Sequence, residues 1–363
     1  MNAASDAVVG VILVGYGYAS ATFHAPLIQV TDGLQLQAIV SSDPTKVHAH
    51  WPRLPVYASL EEALGECSAP LVVVATPNDT HYPLAAQALT AGRHVVVDKP
   101  FTLTLAQADE LIAQAHAAQR VLSVFHNRRW DGDFLQLRRL LAEGTLGRWT
   151  HVESHFDRFR PRVRQRWREA EVPGAGLWYD LGPHLLDQVL CLFGTPESIW
   201  LDTACQRDGA VVDDWFHAVL TYGSMRVLLH ASALSARAAP RWVVHGTQGS
   251  FEKWGFDPQE EALKAVMASD ATTRLESLRH SSWGQDPRPG TLFMGDASEL
   301  QMLPAIPGDY RQYYAGLRTA LLYPDKCSVP VPATEAREVM RWLELGLRSR
   351  KQRRAMDHAA TLL

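Results

Sequence analysis

Five apolar runs of strand length, separated by segments of helical spacing, constrain the first third of this 363-residue chain. They are VVGVILVG (Val8 to Gly15), LQLQAIVS (Leu34 to Ser41), PLVVVAT (Pro70 to Thr76), HVVVD (His94 to Asp98) and VLSVFH (Val121 to His126). Between the last two, Leu105, Ala108, Leu111, Ile112, Ala115 and Ala118 fall on one helical stripe. Strand, helix, strand, repeated, predicts an α/β fold: a doubly wound parallel sheet with right-handed crossovers. Ligands of such sheets gather at the carboxyl ends of the strands. At that edge HVVVDKP places an acid, a lysine and a proline (Asp98, Lys99, Pro100) after three valines, residues that a buried parallel strand does not hold.

The first turn, GYGYAS, has Gly15, Tyr16, Gly17, Tyr18, Ala19 and Ser20 between the first strand and an apolar segment. Gly15 permits a tight turn, and Gly17 lets the backbone approach a pyrophosphate resting on a helix N-terminus. Ser20 stands at the third fingerprint position, where Gly or Ala is usual. In this context the turn predicts dinucleotide binding. The second strand ends in SSDPTK, so Ser41 and Ser42 stand where an NAD-binding acid is expected. Two hydroxyls and the charge of Lys46 favour the 2′-phosphate of NADP over NAD. Two alternatives remain at this point: Asp43 swinging back as the ribose acceptor of NAD, and an ordinary turn.

A hydrophobic content of 47%, a charged content of 20% and a formal net charge of −4 give no electrostatic reason to expect nucleic acid or an anionic membrane. A small-molecule partner is expected. Cys67, Cys191, Cys205 and Cys327 lie far apart without metal spacing, as in a reduced cytoplasmic protein. Signal-peptide and membrane-span patterns are not expected.

The length predicts two domains, placed at 1–126 (dinucleotide-binding) and 127–363 (substrate-binding and dimerisation). After Asn127, strand patterns adjoin one another: Trp149 to Phe159, Ser198 to Gln206, Asp214 to Tyr222, Met225 to Leu234, Arg241 to Thr247 and Gly249 to Gly255. Tight links at Gly223–Ser224 and Gln248–Gly249 predict an α+β domain with a large, mostly antiparallel open sheet. One face of such a sheet is a plausible homodimer surface. Residues 259–307 are punctuated by Pro, Gly and Ser, which predicts a lid or a surface loop. Thr334 to Arg350 reads as a long C-terminal helix with Thr334 as N-cap. One helix interrupts the strands, and there Asp180, His184 and Asp187 are spaced i, i+4, i+7 on one face. A carboxylate one turn before a histidine suits a general acid/base, although exposed helices also carry such pairs.

Together, VGYGYASATFHAPLI, TPNDTH (Thr76 to His81), DKP, FHNRRWDGDF (Phe125 to Phe134) and GAGLWYDLGPHLLD (Gly174 to Asp187) resemble the glucose-fructose oxidoreductase/inositol dehydrogenase/MocA (Gfo/Idh/MocA) family over nearly the whole chain. The chain is most similar to its NADP-dependent scyllo-inositol dehydrogenase-like members. The resemblance implies Lys99, Asp180 and His184 as a catalytic set, with Thr76, Pro77, Asn78 and His81 near the nicotinamide half of the cofactor. It also implies Asn127, Arg128, Arg129 and Trp130 near substrate, with Asp157, Arg158 and Arg160 adding hydroxyl-binding groups, and a cis Lys99–Pro100 bond. Asp98 replaces the family's usual Glu. The implied activity is that of an NAD(P)-dependent dehydrogenase acting on CH–OH groups of a polyol or sugar, with no metal required. Rival readings are a biliverdin reductase-like or dihydrodiol dehydrogenase-like reductase, and a cofactor-bound sensor without turnover. A metal-dependent hydrolase fits poorly, since no HExxH motif occurs.

Overall fold

Six parallel strands form the first sheet of the computed structural model, which describes residues 7–269, 271–280, 282–295 and 299–359. They are β1 (Val9–Val14), β2 (Leu34–Val40), β3 (Val56–Tyr57), β4 (Leu71–Val74), β5 (His94–Val97) and β6 (Leu122–Val124), in spatial order β3-β2-β1-β4-β5-β6. Helices return the chain between most neighbours, so both faces of the central strands are covered, and β1 and β4 are buried along their whole length. Their uninterrupted apolar runs are the sequence form of that burial. The order reverses between β1 and β4, which makes the ends of those strands the switch point of the sheet.

The second sheet has nine strands: β7 (Trp149–His155), β8 (Ser198–Ala204), β9 (Trp215–Tyr222), β10 (Met225–Ser232), β11 (Trp242–Gly246), β12 (Gly249–Lys253), β13 (Gly290–Met294), β14 (Glu299–Leu303) and β15 (Met356–Asp357). Their order is β14-β13-β12-β11-β7-β10-β9-β8-β15, and every pairing is antiparallel except β7 with β10. A two-residue turn at Gly223–Ser224, with Gly223 at φ 57°, closes the β9–β10 hairpin as its sequence predicts. Alternate residues separate the two faces. Ile199, Leu201, Phe216, Ala218, Val227, Leu229, Val152 and Val244 are buried, with Trp178 and Leu185 of the helix Leu177–Phe193 also in the core, while Trp200, His217, His230 and His151 point the other way.

The chain divides into two compact units: Met1–Trp130 with Pro258–Gly284 and Asp309–Arg337, and Asp131–Asp257 with Gln285–Gly308 and Glu338–Leu363. The first crossing from one unit to the other falls between Trp130 and Asp131. The predicted lid or loop at 259–307 contains the helices Gln259–Met267 and Ala271–Arg279 and the strands β13 and β14. Apolar and polar residues mix there without a clean period, which hid these elements. The long C-terminal helix runs over Ala333–Gln352. Its first turn hydrogen-bonds back to Pro332 O, so Thr334 lies inside the helix and is not its N-cap.

Candidate active site

A cleft of about 570 Å³ opens at the carboxyl ends of β1, β2 and β4 in the first unit, a size suited to part of a dinucleotide. Gly15, Tyr16, Gly17, Ser41, Ser42, Asp43, Lys46 and Thr76 line it. Gly15 has φ 87°, and a Cβ there would sit 2.8 Å from Ala75 O and from the Thr76 methyl, so both conformation and packing require glycine. Gly17 differs, because a Cβ added there meets no atom of the described residues within 4 Å. Its bare backbone faces open space, as close approach of a pyrophosphate requires. Ser20 at the third fingerprint position is fully buried and donates its hydroxyl to Ala75 O at 3.4 Å. A small residue thus keeps the first helix against β4, with its hydroxyl satisfied.

The end of β2 settles where the Asp43 side chain goes. Asp43 caps the helix Pro44–His50 by accepting the Lys46 N–H at 3.2 Å, and its other oxygen lies 3.5 Å from Lys46 Nζ. Ser41 Oγ accepts the Asp43 N–H at 3.1 Å. The segment Ala58 to Glu61, Leu84 and Gln87 complete the cleft. No motif marked these residues, although Ser59 before LEEAL is an N-cap signal and does cap that helix.

Beside this cleft the loops after β4 and β5 are tied together. His81 is buried, with Nδ1 2.8 Å from Pro100 O and Nε2 3.1 Å from Thr76 O. Burial pushes its pKa down, opposed mainly by the charge of Asp98, and a neutral ring donates to one of these carbonyls at a time. The Lys99–Pro100 bond is cis, as expected. Asp98 is buried and accepts the Lys99 N–H at 2.9 Å, fixing the backbone that carries the lysine. Burial would raise the Asp98 carboxyl, but the His24 imidazole facing it at 3.7 Å, with Lys99 and His81 behind it, holds it below its ordinary value. His24 in turn meets the Tyr314 hydroxyl at 2.6 Å. Sequence reasoning gave His24 no role. FHAPL was its signal, and a wide π-type turn at Ser20–His24 places it.

Tyr18 does not line the cleft. Its hydroxyl donates to Glu260 at 2.7 Å, and burial, reinforced by that carboxylate, pushes its pKa up to about 12. Glu260 also takes Arg128 at 3.0 Å. Ala19 opens the helix, while Pro77 and Asn78 form the turn into the helix His81–Thr90. Asn127 is buried, Arg129 pairs with Glu335 at 2.5 Å, and the Trp130 ring stands edge-on to Tyr313 at 5.8 Å. These residues anchor the 127–130 turn on its own unit.

In the second unit, Asp180 and His184 lie one turn apart on the helix Leu177–Phe193. Gly176 at φ 94° starts this helix, and Asp213 accepts the Trp178 N–H at 2.7 Å. Burial raises the Asp213 carboxyl. Pro183 cannot donate to the carbonyl one turn back, immediately before His184, which is buried. Asp180 lines a narrow pocket with Arg158, Arg160, Arg166, Arg168 and Arg207, and Arg168 Nε lies 3.4 Å from its carboxylate. Burial, with the charges of Arg158, Arg166 and Arg164, depresses the Arg160 pKa. Glu169 takes up part of the excess charge, pairing with Arg166 at 2.6 Å and Arg207 at 3.1 Å. Asp157 is absent from this lining. Backbone pairing with β10 continues past the end of β7 through the Phe156 and Arg158 N–H groups, and Asp157 between them turns toward His155 and His230.

Residues 9–126 match the model of the oxidoreductase family with an NAD-binding Rossmann fold, and residues 134–252 match the Gfo/Idh/MocA C-terminal domain. The chain belongs to the Gfo/Idh/MocA family of oxidoreductases. It is 52% identical over 343 residues to the uncharacterized oxidoreductase YdgJ of Escherichia coli, covering 94% of this chain and 96% of that one. It is 34% identical over 348 residues to the scyllo-inositol 2-dehydrogenase (NADP(+)) IolW of Bacillus subtilis, covering 95% and 94%. Among solved structures, Yersinia pestis YPO2259 superposes with a TM-score of 0.91 at 50% identity, over 99% of this chain and 100% of that one. The chain is therefore an NAD(P)-binding oxidoreductase of this family, and the fold expected from its strand order is the fold observed. Among the described residues no helix is long and apolar enough to cross a membrane.

Proposed function

We propose that the protein is an NADP-preferring dehydrogenase interconverting a secondary alcohol of a cyclic polyol or sugar and its ketone. The observation that carries the cofactor choice is Asp43. Its carboxylate is engaged as a helix cap and lies 3.5 Å from Lys46 Nζ, so Ser41, Ser42 and the Lys46 ammonium, and not a free carboxylate, stand at the edge where a 2′-phosphate is read. Similarity to a relative named as an NADP(+)-dependent scyllo-inositol dehydrogenase supports the same choice and the alcohol chemistry.

When bound, the nicotinamide nucleotide supplies the hydride acceptor or donor. Lys99, its backbone fixed by Asp98, holds the reacting oxygen and favours the alkoxide that develops on it. His184 takes the hydroxyl proton during oxidation and returns it during reduction. Asp180 stabilises the protonated imidazole, tempered by Arg168. The guanidiniums lining the pocket beside Asp180 favour a substrate carrying a carboxylate or phosphate beside its hydroxyls. The test is a turnover screen of inositols, aldohexoses, aldonates, uronates and sugar phosphates with both cofactors. NADP-linked turnover of at least one of these is expected. Tight NADP binding with no turnover of any of them would replace this reading with that of a sensor.

A further inference from the structure

Register places four side chains in one row on the face of the nine-stranded sheet turned away from its core. His155 of β7 pairs with His230 of β10, His230 with His217 of β9, and His217 with Asp202 of β8. Asp157, two residues past His155, turns its carboxylate toward this row and is itself 6% exposed. His155 Nδ1 lies 3.7 Å from Asp157 Oδ2, and His230 Nε2 lies 3.5 Å from Asp157 Oδ1. Both distances are too long for a hydrogen bond to a carboxylate, which runs about 2.7–2.9 Å when charge-assisted. His155 Nδ1 and Asp157 Oδ1 are buried and have no hydrogen-bond partner among the described residues. One ligand atom from each of His155, Asp157 and His230 lies within 4.8 Å of the other two.

We propose that His155, Asp157 and His230 bind a divalent transition ion of the zinc class. Ligand bonds of about 2.0–2.2 Å in a tetrahedral site separate neighbouring ligand atoms by about 3.3–3.6 Å, close to the 3.5 Å between His230 Nε2 and Asp157 Oδ1 and the 3.7 Å between His155 Nδ1 and Asp157 Oδ2, so each carboxylate oxygen stands near one imidazole. Two imidazoles and one carboxylate are a set that zinc, cobalt and nickel accept, with a remaining position for water. The tautomer of His155 is fixed from behind. Its Nε2 meets Glu153 Oε2 at 2.8 Å, so this nitrogen carries the proton and Nδ1 presents a lone pair toward Asp157. Glu153 is held on its other side by His151 Nε2, also at 2.8 Å. A backing carboxylate on a ligating histidine distinguishes this group from a chance meeting of surface side chains. The ion would tie the end of β7 to β10 and has no part in the alcohol chemistry assigned to Lys99 and His184.

The test is a titration of chelator-treated full-length protein with cobalt(II), read by its visible d–d bands and reversed by zinc chloride. One equivalent per chain is expected, with bands of a four- or five-coordinate site. His230→Ala and Asp157→Asn should abolish the bands, and Glu153→Gln should weaken binding by about 10–100-fold. His116→Ala, at an exposed residue of the helix Leu105–Ala117 in the first unit, should leave them. A wild-type affinity no tighter than that of a His155→Ala/His230→Ala double variant would overturn the proposal, as would bands of the hydrated six-coordinate ion alone. Should the double variant fail to fold, Asp157→Asn decides, because unchanged cobalt binding in that near-isosteric variant would also overturn it.

Discussion

Ser41 and Asp43 are two residues apart and have opposite consequences for cofactor choice. A carboxylate at Ser41 would stand against a 2′-phosphate, whereas the carboxylate of Asp43 is already held by the Lys46 N–H. Ser41→Asp should therefore move the NADP/NAD ratio of kcat/KM toward NAD by about tenfold or more, some 1.4 kcal/mol, while Asp43→Ala, which removes the carboxylate 3.5 Å from Lys46 Nζ, should keep or raise that ratio and cost about 1 kcal/mol of stability through the lost cap. If Asp43→Ala instead abolished NAD-linked activity, that residue would be the ribose acceptor. At the proposed acid/base, His184→Ala should lower kcat by about 10²–10⁴-fold with the cofactor Kd unchanged, as measured by fluorescence titration. Wild-type turnover in that variant would remove the histidine from the mechanism. Gly15 and the cis Lys99–Pro100 bond were legible in the sequence because fixed motifs carry them. His24 was not, since its value comes from meeting Asp98 across 74 positions of chain, a contact no local spacing encodes.

Strand β5 illustrates what an element's ends add to its pattern. His94 opens this strand, and its Nδ1 accepts the Val121 N–H at 3.0 Å at the start of the neighbouring β6, a bond that only the unprotonated nitrogen can accept. Burial, helped by the charge of Arg120, pushes its pKa down from 6.5 to about 4. Between these values the unfolded chain binds a proton that the folded chain excludes, so this contribution to stability is lost as pH falls from about 6.5 toward 4. His94→Asn keeps an acceptor without the titration. Comparing urea midpoints at pH 7 and pH 4.5, the wild type should lose about 1–2 kcal/mol more than the variant, after allowance for partial exposure. Parallel losses would assign the acid sensitivity to other groups, with His81 and Asp98 the next in line. The three valines of β5 announced a buried strand, but nothing in HVVVD told that its first residue would serve as an acceptor for the next strand. Elements in 258–308 were harder still, because the segment Pro258–Gly284 docks by scattered polar contacts such as Tyr18 and Arg128 to Glu260.

At the scale of the whole molecule, the parallel character of the first sheet and the mostly antiparallel character of the second follow from local pattern, whereas the strands β3, β13, β14 and β15 and the division into units do not. Pro258–Gly284 and Asp309–Arg337 join the first unit from late in the chain, and neither composition nor periodicity marks them as belonging there. The nine-stranded sheet leaves one face turned from its core, where Trp200, Leu300 and Met302 are 38%, 59% and 52% exposed. Register joins Met302 to Trp200 across the sheet: Met302 pairs with Thr291, Thr291 with Glu252, Glu252 with Val243, Val243 with Glu153, and onward through Leu228 and Val219 to Trp200. Laid on a second copy in the same direction, the row sets Glu252 and Glu153 against themselves, whereas the opposite direction, which two-fold symmetry requires, sets them against Leu228 and Val243 and brings Met302 to Trp200. We therefore expect a homodimer through this face, sedimenting at twice the 40.3 kDa of the chain. Trp200→Arg combined with Met302→Arg should shift the mass toward the monomer at micromolar concentration, while Val211→Arg, at a residue 56% exposed outside the strands, should leave it unchanged. A wild-type mass equal to one chain, or a dimer indifferent to both arginines, would show that a second copy is not what covers this face.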